Sequence, residues 1–202
     1  MPAKEKLSRE RIICAAMEML DEVGEKGFSM RKLAGALGVD PMAIYHHHTN
    51  KSALLQEVLQ TMLLQCHLPE DCGNWRKDIR NLCNQVRELA QRHPGCFRLY
   101  EIYEEWLPAE HRLHEAFHRV LLTSGLPGPR VVQAVRLLLA YTEAFAVDEI
   151  SGWLDPEDRE DLAASLAEGP YPVMTDLINE IGHRDTDADF DALKEVLRKA
   201  QK

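Results

Sequence analysis

The 202-residue sequence lacks any apolar run long enough to cross a membrane. Its most apolar long segment, Val131 to Val147, is interrupted by Gln133, Arg136, Thr142 and Glu143, whereas a spanning helix needs about 20 predominantly apolar residues. Met1 to Glu10 is charged and holds no apolar stretch, so no signal peptide is expected. There is no C-x-x-C pair, and the cysteines (14, 66, 72, 83 and 96) are odd in number. Such a set reads as reduced thiols, mostly packed in the core of an intracellular protein. No segment alternates apolar and polar residues as a half-buried strand does, and there is no repeat or low-complexity tract. Positive charge is in deficit: 24 Lys/Arg stand against 33 Asp/Glu, a net −9, which taken whole argues against coating nucleic acid or an anionic membrane. With 45% apolar and 28% charged residues, collagen-like, disordered and mucin-like chains are excluded. A soluble, cytoplasmic protein is expected.

The deficit is not evenly spread. Residues 1–52 hold eight Lys/Arg against seven Asp/Glu, +1, and residues 53–202 hold sixteen against twenty-six, −10. Between Gly/Pro breaks the apolar residues recur with helical spacing, which predicts an all-α chain with helices at 8–23, 30–37, 41–47, 51–67, 75–92, 95–105, 109–124, 129–152, 157–168, 171–182 and 187–200.

The first fifty residues carry the clearest punctuation. Ser8, Ser29 and Asp40 are placed as N-caps, with Leu7/Ile12, Phe28/Leu33 and Val39/Ile44 as hydrophobic staples. Gly24 stops the first helix, Gly38 makes a sharp left-handed turn after the second, and Pro41 opens the third. Two short helices joined at Gly38 form a helix-turn-helix, whose second helix enters the major groove of DNA. Ile12, Ala15, Ala16, Met19, Leu33, Ala34, Leu37 and Ile44 are its expected core. Arg31, Lys32, His46, His47 and Lys51 are left outside as candidate phosphate and base contacts. His46, His47 and His48 point in different directions on a helix, so they cannot form a three-ligand metal site.

Residues 8–58 resemble the DNA-binding domain of the tetracycline-repressor (TetR) family, through Ala15-Ala16, Gly24, Arg31-Lys32-Leu33-Ala34, Gly38-Val39, Tyr45, His47 and Asn50-Lys51-x-Ala53-Leu54-Leu55. The resemblance implies operator contacts at Ser29, Arg31, Tyr45, His47 and Lys51. Arg31 can fork onto guanine, and Met42 and Ala43 would face base edges with apolar contacts. His48 stands where a Phe or Val usually closes the motif. The remainder follows the same family's outline through Arg92-His93-Pro94, Leu122-x-x-Gly125-Leu126, the long helix from Val131 and a last helix with Phe190 and Leu193. Residues 1–50 are thus expected to bind DNA, and residues 51–202 to bind effector and dimerise.

In the family, the long helix and the last helix pair with their copies in a second subunit, which implies a homodimer through 129–152 and 187–200. The segment 131–147 is apolar nearly all round, and Phe190, Leu193, Val196, Leu197 and Ala200 form one stripe behind a Thr186/Asp189 capping box. Tyr100, Tyr103, Trp106, Phe117, Tyr141 and Phe145 are candidate effector contacts, although aromatics at helical spacing also serve simply as core. Tetracycline repressors hold a magnesium chelate through a His shortly after the Arg-His-Pro-like segment. Here Phe97-Arg98-Leu99-Tyr100-Glu101 offers none, which argues against tetracycline itself.

A rival pattern is His114-Glu115-Ala116-Phe117-His118, a literal H-E-x-x-H that on a helix sets two imidazoles one turn apart with Glu115 as general base. It would make a zinc-dependent hydrolase, with His111, His114 and His118 as metal candidates and Glu143 as a nominal third ligand. No strand is found to hold a peptide, however, and no metal or other cofactor is expected. A third reading is a dimeric DNA-binding regulator without a small-molecule effector, controlled by a partner protein or by cysteine oxidation. The leading expectation is a ligand-responsive regulator, a repressor released from double-stranded operator DNA by a small-molecule effector.

Overall fold

The computed structural model describes residues 7–69, 73–103, 107–152 and 156–181. Every regular element among them is helical: α1 Arg9–Gly27, α2 Met30–Leu37, α3 Pro41–Tyr45, α4 Lys51–Leu63, α5 Trp75–Arg92, α6 Pro94–Phe97, a 3-10 turn Arg98–Glu101, α7 Pro108–Leu122, α8 Gly128–Ser151, α9 Pro156–Ala167 and α10 Pro172–Ile181.

The reader unit forms because its local chemistry leaves few alternatives. The side chains of Ser8, Ser29, Asp40 and Asn50 each accept a backbone N–H in the first turn of the helix that follows. Gly24 has φ 65°, which interrupts α1 before its last three residues. Gly38 has φ 66° and ψ 35°; its N–H bonds the Gly35 carbonyl while the Val39 N–H reaches back to Ala34, closing α2 as a Schellman turn. The inward row of α1 is Ile12, Ala16 and Leu20, with Met17 beside it. Ala15 and Met19, expected inside, are only half-buried, because the i, i+4, i+8 row from Ile12 takes the core. Leu33, Ala34, Leu37 and Ile44 complete the reader core.

α4 continues that core into the larger unit. Leu54, Leu55, Val58, Leu59, Met62 and Leu63 are all buried, and the helix packs against both α1 and α7. α5, α7 and α8 pack against one another. One buried face of α8, made of Val131, Val135, Leu138, Leu139, Thr142 and Ala146, closes this layer. Another face leaves Leu137 70% and Tyr141 37% exposed.

Several boundaries differ from expectation, α1 running to Gly27 rather than 23. The segment 95–105 is not one helix: α6 ends at Phe97 and tightens into the 3-10 turn. Cys96 at the end of α6 and Leu99 in the 3-10 turn both lie in the core with no exposure. α3 stops at Tyr45, where His47 and His48 both bond to the Ile44 carbonyl, and α4 stops at Leu63. Trp106, Cys72 and the predicted helix 187–200, with its Thr186/Asp189 cap, lie outside the described residues.

Candidate nucleic-acid interface and effector groove

The turn at Gly38 and the cap at Asp40 orient α3 so that Ile44 is buried while Met42 is 62% and Tyr45 41% exposed. His46 is exposed, Ala43 and His47 are half-buried, and His48 is buried, so the three histidines diverge. Arg31 and Lys32 are exposed in the first turn of α2, and the Ser29 hydroxyl accepts the Lys32 amide at 3.2 Å. Two lysines are anchored within the reader. Lys32 Nζ donates to the Gly27 carbonyl at 2.7 Å. Lys51 Nζ pairs with Glu25 at 2.6 Å, approaches the Phe28 carbonyl at 3.4 Å and lies 5.6 Å from the Phe28 ring centroid. Both ammonium groups therefore sit at the carboxyl end of α1, where the helix dipole favours cations.

Two polar junctions join the reader to the rest. In the first, Arg9 clamps Glu57 of α4 through Nε at 2.8 Å, and His48 Nδ1 lies 3.5 Å from Glu57 Oε2. Neither His48 ring nitrogen has a hydrogen-bond partner. Burial therefore lowers the His48 pKa, against a smaller opposing pull from Glu57. In the second, Asp21 of α1 accepts hydrogen bonds from His93, Gly95 and Cys96, while His93 Nε2 meets the Gln65 side chain just after α4.

Between α7 and α8 lies a groove of about 400 Å³, lined by His114, His118, Val132, Val135, Arg136, Leu139, Ala140 and Glu143. Burial, with the charge of Glu110 adding, pushes the Glu143 carboxyl up to about 7. Burial and then the carboxyls of Glu143 and Glu110 drive the Tyr100 phenol above its ordinary range. None of the five described aromatics among those expected to bind effector, Tyr100, Tyr103, Phe117, Tyr141 and Phe145, borders this groove. Phe117 is fully buried, Tyr100 packs on Phe97 at 5.3 Å, and Tyr103 is half-buried against the core. Tyr141 and Phe145 stack at 5.9 Å, with the Arg87 guanidinium 5.6 Å from the Phe145 ring centre. Arg136 was legible only as a polar interruption of an apolar helix, whereas Glu143 reads from the sequence as a nominal third metal ligand.

The H-E-x-x-H residues divide. His114 and His118 border the groove, whereas Glu115 and His111 are exposed and outside it. Among the described residues no three His, Cys, Asp or Glu side chains converge as a metal shell.

A small helix-turn-helix unit joined through one shared helix to a larger helical unit with a groove is the architecture of a DNA-binding regulator. Residues 12–58 match the pattern of the bacterial regulatory proteins of the tetR family, and residues 68–197 match the tetracyclin repressor-like C-terminal domain. The chain belongs to the TetR family of transcriptional regulators, with a DNA-binding and a ligand-binding domain. It is 31% identical over 160 residues to the class C tetracycline repressor of Escherichia coli, covering 76% of this chain and 71% of that protein. Its fold superposes on ActR of Streptomyces coelicolor in complex with actinorhodin with a TM-score of 0.82 at 24% identity, covering 97% of this chain and 95% of that one. A TetR variant from Acinetobacter baumannii AYE, in complex with minocycline, gives a TM-score of 0.69 at 25% identity over 98% of this chain and 99% of the other. Among the described residues no helix is long and apolar enough to cross a membrane.

Proposed function

We propose that this chain is a homodimeric repressor whose operator affinity falls when a small molecule enters the larger domain. Residues 1–50 form the reader and residues 51–202 the effector and dimer unit. Ser29, Arg31, Lys32, Met42, Ala43, Tyr45, His46, His47 and Lys51 face DNA, and Ser29, Lys32 and Lys51 also hold the helices that carry the others. The observation that carries this reading is mechanical: α4 and the Asp21–His93 contact tie the reader to the layer bordering the groove. A ligand that prefers one arrangement of that layer shifts the recognition helices of both subunits. The exposed apolar face of α8, with Leu137 70% exposed, supports pairing with a second copy. Two recognition helices can then read adjacent half-sites.

The effector class follows from the groove and from the relatives. Its apolar walls with two imidazoles, a guanidinium and a neutral-leaning carboxyl suit a ringed molecule bearing hydroxyl and carbonyl groups. The named ligands of related proteins, tetracycline, minocycline and actinorhodin, share that character. Three of the cysteines are poor candidates for redox control, because burial pushes Cys66 and Cys83 up to about 11 and Cys96 higher still. The test is footprinting of DNA upstream of the gene with the full-length protein, followed by a screen of oxygenated polycyclic aromatics for loss of protection. Footprints that persist through the whole screen would turn the reading towards control without a small molecule.

A further inference from the structure

We propose that the α7–α8 groove holds an exchangeable transition-metal ion, with His114 and His118 as its two protein donors. The imidazoles stand one turn apart on α7, their rings 26° from parallel with centroids 6.4 Å apart, so side-chain rotation alone brings both onto one ion. His118 Nδ1 donates to the His114 carbonyl at 2.7 Å, which leaves the ring's lone pair on Nε2. A backbone carbonyl holding the non-coordinating nitrogen is the usual support of a metal-bound imidazole. Both rings border the groove, and Glu143 lines it from α8.

The chemistry selects the ion. Two neutral imidazoles suit copper, nickel and zinc and give magnesium and calcium little reason to shed water. No third donor converges among the described residues, so water completes the shell and the ion exchanges readily. Glu115 is exposed and outside the groove, which makes this a binding site rather than the hydrolase its sequence pattern suggests.

The test uses untagged, metal-stripped full-length protein titrated separately with CuCl2, NiCl2, ZnCl2 and MgCl2 by calorimetry. One copper or nickel ion per chain at this site is expected, in the affinity order copper, nickel, zinc, with no response to magnesium. His114→Ala and His118→Ala should each weaken nickel binding about tenfold or more, a change of about 1.4 kcal/mol. A His46→Ala, His47→Ala double variant should leave it unchanged, since those imidazoles lie in the reader. Nickel binding that survives loss of both His114 and His118, or that disappears with His46 and His47, overturns the proposal. A second readout needs no variant: the electron paramagnetic resonance spectrum of the one-copper wild-type protein should show two coordinated imidazole nitrogens, and one or none would also overturn it.

Discussion

The carboxylate of Asp21 accepts the Nδ1–H of His93 at 2.9 Å, joining residues 72 apart in sequence. Its other oxygen accepts the amides of Gly95 and Cys96 at 3.0 and 3.1 Å. A residue of α1 thereby caps α6, satisfying N–H groups that a helix start leaves without partners. The approach is close. A β-carbon on Gly95 would lie 1.9 Å from the Leu20 carbonyl oxygen, so only glycine lets the two backbones meet. The reader and the larger unit are clamped together at this point.

Removing the carboxylate should therefore weaken the whole chain. Asp21→Ala leaves the two amides and the imidazole without their acceptor, a loss of about 1–3 kcal/mol. Gly95→Ala should cost at least as much, because backbone and not a flexible side chain must give way. Urea unfolding measures both. An Asp21→Ala midpoint equal to wild type would show that water replaces the carboxylate without loss.

What was legible in the sequence was local. Ser8, Ser29 and Asp40 cap the helices they precede, and Gly38 takes the left-handed conformation, because each such feature depends on a few adjacent residues. The close approach of Gly95 to Leu20 was not legible, since the two lie far apart in the chain. The pairing of Lys51 with Glu25 was hidden for the same reason. In the larger unit, aromatic spacing identified helix faces without telling which face meets a groove: Phe117 proved to be interior core, and the groove fell to His114, His118, Arg136 and Glu143.

His48 should make the protein sensitive to mild acid. Burial lowers its pKa in the fold, with Arg9 and His47 adding to that and Glu57 opposing. Above the unfolded value of about 6.5 the ring is neutral in both states and pH has no leverage. As pH falls below that value, the unfolded chain takes a proton that the fold resists, so stability falls. Glu57 acts in a lower window: the Arg9 hydrogen bond depresses its pKa, so its contribution is present above the ordinary carboxylate value of 4.5 and lost as pH falls through the lower folded value. His48→Phe should flatten the decline between about pH 6.5 and 5. Equal slopes for wild type and variant in that window would place the acid sensitivity elsewhere.

Specific and general DNA contacts should separate by salt. Arg31→Ala is expected to weaken operator binding by about 1–3 kcal/mol while changing binding to unrelated DNA far less, as a base contact does. Lys51→Ala should lower the slope of log affinity against log salt by about 0.9 for each phosphate that the ammonium neutralises in the wild type. Glu25→Gln frees the Lys51 ammonium from its 2.6 Å ion pair and should steepen that slope. Gel shifts over a series of salt concentrations read all three. Identical losses on operator and unrelated DNA for Arg31→Ala would remove it from base recognition.

Glu143 should oppose His48 in its pH dependence. Burial and Glu110 raise its carboxyl from 4.5 to about 7 in the fold. Below about pH 4.5 both states are protonated. Between 4.5 and 7 the fold keeps a proton that the unfolded chain releases, so this residue's contribution to stability declines as pH rises and is lowest above 7. The full difference is on the order of 3 kcal/mol. Glu143→Gln keeps the neutral shape without the titration, so its gain over wild type should be small at pH 5 and largest at pH 8. Urea midpoints at those two values decide it: the same gain at both would mean that Glu143 does not change protonation in the groove over that range, and that the groove offers its ligand a fixed charge.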